Sequence, residues 1–230
     1  MSTVGYRIIE EIKRPSIDLI ESFRNLQVAN LDDCMQRSAA VHSSIKPINQ
    51  AKILGPALTV KVAPGDNLMI YIAIDLAHEG DVLVIDGAGY TERALMGEIM
   101  IQNARNKKLG GIIIDGAIRD FDVISKMDFP VYAKAVSPNG PYKNGPGEIN
   151  YPITIGSKVV HAGDIVVGDA DGVVFIRPHD APSILKKVQT VIDYEKKLLN
   201  QLAQGELLDI TWAYKKLHES DCTITKEEKL

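Results

Sequence analysis

The stretch Ile112–Asp120, which reads IIIDGAIRD, ends an apolar run in two carboxylates, a glycine and an arginine. A turn needs only the glycine and one aspartate, so the additional charged pair Arg119 and Asp120 could have a chemical role. The guanidinium of Arg119 is a planar fork of donors that suits a carboxylate or a phosphate. The carboxylate of Asp120 is a hard oxygen ligand that suits a largely hydrated Mg²⁺ or Mn²⁺ ion. The pair could grip a small anion from two sides; an exposed ion pair in the first turn of a helix is the alternative.

Gly97 and Glu98 form a second candidate group. A glycine inside a helical pattern costs about 1 kcal/mol relative to alanine, so Gly97 indicates a close backbone approach or the start of a helix. If a helix starts there, the free N–H groups near Gly97–Met100 would form an anion site. Taken alone, Glu98 is typical of a solvated helix carboxylate. We expect Asp115 to be structural and to hold its turn, with contact to the water shell of a metal as the alternative.

Other polar motifs are less specific. The segment GAGY (87–90) lacks the full glycine pattern of a dinucleotide-binding loop. Lys134 and Lys143 could in principle form a Schiff base, although Lys143 lies in a Gly/Pro-rich loop where contact with an anion is equally reasonable. No metal-ligand spacing links the five histidines, which we interpret as surface or turn residues: His42, His78, His161, His179 and His218.

The elements that must position these residues follow from the hydrophobic pattern. Residues 64–116 read helix–strand–helix–strand, with a helix opened by residues 64–67, a strand within 79–89 and a helix over 92–111. This order implies a right-handed βαβ unit with parallel strands. Ligands of such sheets gather at the carboxyl ends of strands, which are the positions of Asp86 and Asp115.

The flanks complete a single predicted domain. A helical arm is expected over 1–45, with Ser16 capping one helix and Asn30 or Asp32 capping another. A strand is predicted over 51–62, and from residue 129 onward the sequence becomes strand-rich. A long helix over 180–203, capped by Asp180, precedes a polar tail over 206–230 that serves as an oligomer arm or is partly disordered.

The motif Gly-Asp-(Val/Ile)-(Leu/Val)-Val occurs twice, at 80–84 and 163–167. We interpret it as the same kind of turn leading into a strand, used twice, rather than as a duplicated domain. The carboxylates of Asp81 and Asp164 are each expected to accept a backbone N–H within their turns.

Composition excludes several classes of protein. The 230 residues carry a net charge of −4 and a pI near 5.8, and no basic stretch has interleaved aromatics, so a nucleic-acid partner is not expected. The two cysteines, Cys34 and Cys222, give neither a disulfide framework nor zinc spacing, which fits a reducing compartment. The N-terminus lacks the apolar segment of a signal peptide, and no run is long enough to span a membrane. We therefore expect a cytoplasmic protein.

Five segments of this sequence, PGDNLMIYIAIDLAHEGDVLVIDGAG, GEIM, GGIIIDGAIRD, FPVYAKAVSPNGPYKNGPGEINYPI and HAGDIVVGDADGVVFIRP, closely resemble the RraA-like family. Within that family they are most similar to the branch of metal-dependent class II pyruvate aldolases. The resemblance covers about residues 50–180 and matches the order and spacing of the segments. It includes the family's acidic residue, twenty intervening residues and Arg-Asp, which here are Glu98, residues 99–118 and Arg119-Asp120.

The resemblance implies an α/β fold, a swivelling β/β/α sandwich with helical extensions at both ends, assembled as a homotrimer or homohexamer. It implies that Asp120 holds Mg²⁺ or Mn²⁺ and that Glu98 positions waters around the metal. Arg119 would bind the 2-oxo acid, and the N–H groups of Gly97, Glu98, Ile99 and Met100 would cradle its carboxylate. Glu195 of a neighbouring subunit is the candidate that completes the site.

The activity implied by the resemblance is retro-aldol cleavage of a 4-hydroxy-2-oxo acid, such as 4-hydroxy-4-methyl-2-oxoglutarate or 4-carboxy-4-hydroxy-2-oxoadipate. The products would be pyruvate and a second oxo acid. Oxaloacetate decarboxylation is an expected side activity, because it yields the same enolate. The alternative is a non-enzymatic regulator that binds a ribonuclease, as a shorter branch of the family does. A methyltransferase is a third possibility, which no glycine-rich S-adenosylmethionine loop supports.

Overall fold

The structure is a computed structural model that describes residues 3–225. Residues 1–2 and 226–230, the outer ends of the predicted arm and tail, lie outside the described residues. The chain divides into two compact units, Met1–Val188 and Gln189–Leu230.

The strands are β1 (Tyr6–Ile8), β2 (Lys46–Pro47), β3 (Ile53–Val62), β4 (Val82–Asp86), β5 (Ala94–Met96), β6 (Gly111–Ile118), β7 (Val131–Val136), β8 (Gly147–Ile149), β9 (Ile153–Ile155), β10 (Lys158–Val160), β11 (Ile165–Asp169) and β12 (Gly172–Ile176). The helices are α1 (Ile17–Glu21), α2 (Val28–Cys34), α3 (Leu68–Leu76), α4 (Glu98–Asn106), α5 (Phe121–Ile124), α6 (Ala181–Ala203) and α7 (Thr211–Glu219).

The main unit is built on a central sheet in the order β1-β8-β3-β4-β6-β7-β2. Strands β3, β4, β6 and β7 run parallel, and Asp86 pairs in register with Asp115 at their carboxyl ends. The unit β4–α4–β6 is the predicted pair of parallel strands joined by a helix, so the two strand ends singled out in the sequence are neighbours.

Both faces of the parallel strands are covered. On one face, residues such as Leu83, Ile85 and Ile112 belong to a buried cluster with Ile70 of α3 and Ile101 of α4. Burial of the two faces explains why these strands read as unbroken apolar runs.

On the other face, Val84 and Ile113 pack with Ile153 and Val160 of the antiparallel β9–β10 hairpin. Strands β11 and β12 continue this layer from the first half of β3. The result is the mixed α/β architecture that the sequence pattern predicted, with the β layer, central sheet and helical layer that the resemblance implied.

The two Gly-Asp turns have the predicted design. Asp81 accepts a hydrogen bond from the backbone N–H of His78 at 2.9 Å, and Asp164 accepts one from His161 at 2.8 Å. Each buried carboxylate also faces an arginine: Arg14 makes two 2.7 Å contacts with Asp81, and Arg177 lies 3.2 Å from Asp164. The repeated motif is therefore a local turn that is anchored to another segment of the chain.

The N-terminal arm is less helical than predicted. Ser16 caps α1 by accepting the N–H of Leu19, as expected. Residues before it instead include β1, which pairs in parallel with β8 and adds a strand to the edge of the sheet. A local sequence pattern gives no signal for a three-residue strand whose partner lies 141 positions away.

The second helix of the arm begins earlier than predicted. Helix α2 starts at Val28, and its first N–H is capped by Asp169 of β11 at 3.0 Å. The carboxylate of Asp32, one of the two predicted caps, accepts the N–H groups of Ala39 and Ala40 beyond the end of the helix. The predicted cap at Asn30 or Asp32 was wrong because the capping carboxylate comes from a distant strand.

Helix α4 is shorter than the predicted span of 92–111. Ala94–Met96 form β5 beside the end of β6, and Ala94 donates its N–H to the backbone oxygen of Asn139. Because these backbone groups are used by a strand and a loop, the helix begins only at Glu98. This boundary places the first turn of α4 next to Arg119 and Asp120.

The C-terminal part begins as predicted. Helix α6 starts at Ala181, directly after Asp180, whose backbone oxygen accepts the N–H of Ile184. Within the predicted tail, α7 is a further helix, and none of its residues is buried. No helix within residues 3–225 has both the length and the apolar character needed to cross a membrane.

Candidate active site

Arg119 and Asp120 lie directly after the last residue of β6. The N–H of Arg119 donates to the backbone oxygen of Met96 at 3.0 Å, which fastens the end of β6 to β5. Asp120 has φ 62° and ψ 36°, a left-handed conformation that aspartate adopts more readily than most residues. The backbone then turns into α5, so this strand end delivers both side chains to the start of α4.

Asp120 and Gly97 are in close contact. The Oδ2 atom of Asp120 accepts the backbone N–H of Glu98 at 2.9 Å and so caps α4, whose own N-cap residue has no side chain. A Cβ atom at Gly97 would lie 2.4 Å from that Oδ2 and 2.9 Å from Cγ of Arg119. The φ of Gly97 is −138°, which any residue can adopt, so glycine is needed here for space. Both sequence-based interpretations of Gly97 hold: it starts a helix, and it allows a close approach.

We expect Gly97→Ala to separate Arg119 and Asp120 from α4. The added methyl group should lower the free energy of unfolding by about 1–3 kcal/mol, because the backbone or both side chains must move. Urea denaturation of the purified variant measures this change. Asn103→Ala, on the exposed side of the same helix, is the control and should cause no loss. Equal stability of Gly97→Ala and wild type would contradict the close packing described.

The start of α4 carries the four N–H groups that were predicted to hold a substrate carboxylate, those of Gly97, Glu98, Ile99 and Met100. The N–H of Glu98 is donated to Oδ2 of Asp120, and its contact with a substrate carboxylate stays a prediction, as does that of Gly97. The N–H groups of Ile99 and Met100 belong to the first turn, where a helix provides no acceptor. These N–H groups lie at the N-terminus of α4, which is the positive end of the helix dipole, so this position favours binding of an anion.

The two carboxylates of the group have uncommitted oxygens. Among the described residues, the Oδ1 atom of Asp120 and the exposed carboxylate of Glu98 have no hydrogen bond or ion pair. No cluster of three or more His, Cys, Asp or Glu side chains suited to a metal occurs within residues 3–225. The two residues are joined through the backbone N–H of Glu98, which leaves the carboxylate of Glu98 and one oxygen of Asp120 uncommitted.

The guanidinium of Arg119 is only loosely paired. Its Nε lies 3.8 Å from Oδ2 of Asp120, and its side chain is 44% exposed. A Cβ atom at Gly140 would lie 3.3 Å from the terminal nitrogen NH1, so the loop containing Gly140 passes close to the guanidinium. The remaining donors of the fork are available to an anion.

A small cleft of about 80 Å³ opens beside Arg119. It is smaller than most pockets for drug-sized ligands, so it suits a small molecule. Two polar residues of its wall, Asn67 and Tyr71, were not singled out in the sequence. The full lining is Asn67, Tyr71, Leu95, Met96, Gly97, Ile99, Met100, Arg119, Pro141 and Lys143.

The Gly/Pro-rich loop that carries Lys143 is tied to the start of α3. Asp66 is buried, and its Oδ2 accepts the N–H of Asn144 at 2.6 Å. The backbone of Tyr142 accepts the N–H of Asn67 and donates to the oxygen of Gly65. These contacts on both sides of Lys143 explain how a loop without regular structure can hold its side chain at the cleft. Only the polar PGDN segment (64–67) hints at them in the sequence.

Asp115 has structural contacts, in line with the expectation for it. Its Oδ1 lies 3.4 Å from Nζ of Lys134 on β7, and its Oδ2 accepts the N–H of Gly156 at the turn of the β9–β10 hairpin. Lys134 is thus paired with a carboxylate and is absent from the lining of the cleft. The GAGY segment also makes hydrogen bonds within the protein: the N–H of Ala88 donates to the side chain of Asp86, and the N–H of Gly89 donates to the backbone oxygen of Asp115.

Glu195 lies on α6, in the unit Gln189–Leu230. Its contribution to the site of a neighbouring subunit stays a prediction. The histidines add nothing to the cleft, since none of them lines it.

Comparison with known proteins identifies the family of the chain. Residues 28–175 match the family model described as RraA-like: Aldolase/RraA. A protein of Halalkalibacterium halodurans named "Putative 4-hydroxy-4-methyl-2-oxoglutarate aldolase" is 36% identical over 179 residues, which cover 77% of this chain and 85% of the relative.

Two solved structures share the fold. An uncharacterised protein from Pseudomonas syringae superposes with a TM-score of 0.76 at 20% identity, over 85% of this chain and 97% of the other. The RNA-processing inhibitor RraA from Thermus thermophilis superposes with a TM-score of 0.61 at 25% identity, over 66% of this chain and 93% of the other.

Proposed function

The chain belongs to the RraA-like family, and on that basis we propose that it is a divalent-metal-dependent carbon–carbon lyase. The reaction is retro-aldol cleavage of a 4-hydroxy-2-oxo acid to pyruvate and a second oxo acid. Oxaloacetate decarboxylation is the proposed side activity. Relatives named as aldolases of this type support the reaction class.

The observation that carries the proposal is that Arg119 and the start of α4 line one small cleft, while Asp120 caps α4 directly beside it. A 2-oxo acid presents a carboxylate and an adjacent keto oxygen, both of which accept hydrogen bonds. The fork of Arg119 and the N–H groups of Ile99 and Met100 supply donors to these oxygens. The close packing at Gly97 holds the donors in fixed positions, as catalysis by charge stabilisation requires.

The residues of the site fit a Mg²⁺ or Mn²⁺ ion. Asp120 has an uncommitted oxygen and Glu98 a free carboxylate, and Mg²⁺ in proteins is commonly held by one or two carboxylates with several waters. We propose that Asp120 is the direct ligand and that Glu98 orients water. A bound divalent ion would supply Lewis-acid stabilisation of the charge that develops on the keto oxygen.

Each residue of the cleft then has a distinct proposed role. Arg119 holds the substrate at its carboxylate or keto oxygen and stabilises negative charge there as the enolate forms. The N–H groups of Ile99 and Met100 hold the carboxylate. Lys143 lines the same cleft and is proposed to contact an anionic group at the far end of the substrate. Cleavage moves the hydroxyl proton to a base and the electrons of the C3–C4 bond into the enolate, which is then protonated at C3 to give pyruvate.

We also propose that the active form is a homotrimer or homohexamer. Large apolar side chains are exposed around the cleft, among them Ile99 at 83%, Phe121 at 44% and Tyr71 at 43%. Apolar side chains grouped at a polar site are typical of a surface that a partner covers. Glu195 of a second copy is the proposed additional carboxylate of the site.

A second candidate function is favoured by the likeness to the RNA-processing inhibitor from Thermus thermophilis. In this case, the chain would bind a ribonuclease or another protein and would have no activity of its own. The uncommitted donors of the cleft and the uncommitted carboxylate oxygens of Glu98 and Asp120 beside it support the enzyme, because binding of a protein does not require them.

Incubation with 4-hydroxy-4-methyl-2-oxoglutarate, followed by NMR, tests the proposal. We expect two equivalents of pyruvate for each equivalent of this substrate consumed, because its second product is also pyruvate. A protein that leaves this compound, other 4-hydroxy-2-oxo acids and oxaloacetate unchanged would be better explained as a regulator.

A further inference from the structure

The side chain of Arg119 lies between two glycines. A Cβ atom at Gly97 would lie 2.9 Å from Cγ and 3.0 Å from Nε of Arg119, and a Cβ atom at Gly140 would lie 3.3 Å from one of its terminal nitrogens. Among the described residues, the side chain of Arg119 has no hydrogen bond, and its ion-pair contact with Asp120 is 3.8 Å long. Its orientation therefore depends on packing against the backbone at these two glycines.

The two glycines are held in different ways. Gly97 is the N-cap residue of α4, so a regular element fixes its position. Gly140 belongs to the β7–β8 loop (137–146), which contains neither a helix nor a strand. Pro141 and Lys143 of this loop line the cleft together with Arg119. The position of this wall therefore depends on the contacts that the loop makes with other segments.

Arg93 provides such a contact at Gly140. Its guanidinium donates to the backbone oxygen of Gly140 at 2.8 Å and to the hydroxyl group of Tyr142 at 2.9 Å. The same guanidinium lies 4.2 Å from the centre of the Tyr142 ring, within the range of a cation–π interaction. A Cβ atom at Gly65 would lie 3.1 Å from Cδ of Arg93, so the stem of the side chain packs on the segment before α3. Arg93 thus joins the loop to that segment.

The donors of Arg93 serve the loop rather than a carboxylate or the cleft. Among the described residues, Arg93 has no ion pair, and it does not belong to the lining of the cleft. The next residue holds the same loop through its backbone, because the N–H of Ala94 donates to the oxygen of Asn139 at 2.9 Å. Arg93 is therefore placed to affect the cleft through Gly140 and not by touching a ligand.

We propose that Arg93 is a positioning residue that holds Gly140 against Arg119 and so fixes the orientation of the Arg119 guanidinium. This inference rests on the proposed function, in which Arg119 binds the 2-oxo acid and stabilises the enolate. The fork of an arginine donates two parallel hydrogen bonds to an anion only when it lies in the right plane. Misplacement of a catalytic group by about 1 Å can cost about a hundredfold in rate, so a loosened wall should slow cleavage.

The test asks whether the effect of Arg93 depends on the fork of Arg119. Arg93→Met removes the guanidinium and keeps an apolar stem that can pack on Gly65. The substitution is made in the wild type and in Arg119→Lys, whose ammonium group cannot donate two parallel hydrogen bonds. For all four proteins, kcat and KM are measured for the 4-hydroxy-2-oxo acid that the wild type cleaves fastest, and thermal unfolding shows whether each protein is folded.

Arg7→Met is the matched control. The guanidinium of Arg7 also lies 4.2 Å from the centre of a tyrosine ring, that of Tyr151, but it pairs with Glu148 and does not line the cleft. This variant should retain the wild-type kcat/KM per folded molecule.

We expect Arg93→Met to lower kcat/KM about tenfold or more in the wild-type background. In the Arg119→Lys background the same substitution should lower kcat/KM by less than about twofold. The effects of two residues that act through one interaction do not add, and this difference between the backgrounds measures their coupling.

A fall by the same factor in both backgrounds would overturn the assignment, because Arg93 would then act independently of Arg119, for example through its charge. A folded Arg93→Met protein with the wild-type kcat/KM would overturn it as well. Should Arg93→Met not fold, Arg93→Lys, which keeps the charge but not the planar fork, is measured by the same comparison and judged by the same outcomes. A wild type that cleaves no hydroxy acid would instead refute the proposed function.

Discussion

Replacement of Arg119 by alanine is expected to lower kcat/KM for cleavage by about a thousandfold or more, in keeping with the loss of a group that stabilises developing charge. The side chain is 44% exposed and its nearest carboxylate contact is 3.8 Å away, so its removal should cost little stability. Steady-state pyruvate release, with the unfolding midpoint measured on the same preparation, checks both expectations. The combination of lost activity and retained fold is the specific result.

Arg119→Lys distinguishes charge from geometry. Lysine keeps the positive charge but cannot donate two parallel hydrogen bonds in one plane, so we expect it to recover only a small part of the lost activity. Arg105→Ala, in the last turn of α4 and exposed, is the control for removing an arginine near the site. Wild-type rates in Arg119→Ala would show that the cleft is not where cleavage takes place.

Replacement of Asp120 by asparagine is expected to abolish cleavage while leaving α4 capped. The amide oxygen of asparagine can still accept the N–H of Glu98, and asparagine tolerates the left-handed backbone at this position. The variant loses only the negative charge, which is what a divalent ion needs from this side chain. We expect activity to fall by about a thousandfold, with an unfolding free energy within about 0.5 kcal/mol of wild type.

Two further variants complete this prediction. Asp120→Ala removes both the charge and the cap, so it should lose the same activity and about 1 kcal/mol of stability as well. Asp122→Asn neutralises the neighbouring acidic residue in the first turn of α5 and should leave the rate unchanged. An Asp120→Asn protein with wild-type activity in the presence of Mg²⁺ would rule out a role for this carboxylate in holding the metal.

The sequence predicted the principal strand and helix order because those elements satisfy local rules. The apolar runs of β4 and β6 and the glycines that bound them are readable from neighbouring residues. The Gly-Asp turns at Asp81 and Asp164 could be predicted for the same reason, since each carboxylate is paired with an N–H three residues earlier. The position of Arg119 and Asp120 at a strand end was predicted by the break in the isoleucine run.

The errors share a physical cause, which is a partner distant in sequence. Helix α2 begins at Val28 because Asp169 caps it, and β1 forms because β8 offers an edge. Helix α4 begins at Glu98 because Asp120, twenty-two residues later, supplies its cap. No window of local sequence contains these pairs.

The same limit applies to the cleft. Glu98 and Arg119 were found by their spacing, but Asn67 was missed because its contacts with Leu95 and Met100 join residues that are far apart in the sequence. Lys143 was considered for a Schiff base or for contact with an anion, but its position at the cleft could not be predicted, since the bond from Asn144 to Asp66 that holds the loop joins distant residues.

The most direct test of the account is pyruvate release by the wild-type protein over a panel of 4-hydroxy-2-oxo acids and oxaloacetate, with and without a chelator. We predict release from at least one hydroxy acid, its abolition by EDTA and its recovery on addition of excess Mg²⁺ or Mn²⁺. Arg119→Ala and Asp120→Asn should remain inactive under all three conditions. Release that persists unchanged in EDTA would contradict the proposed role of the metal, and the absence of release from every compound would contradict the assignment of the protein as a lyase.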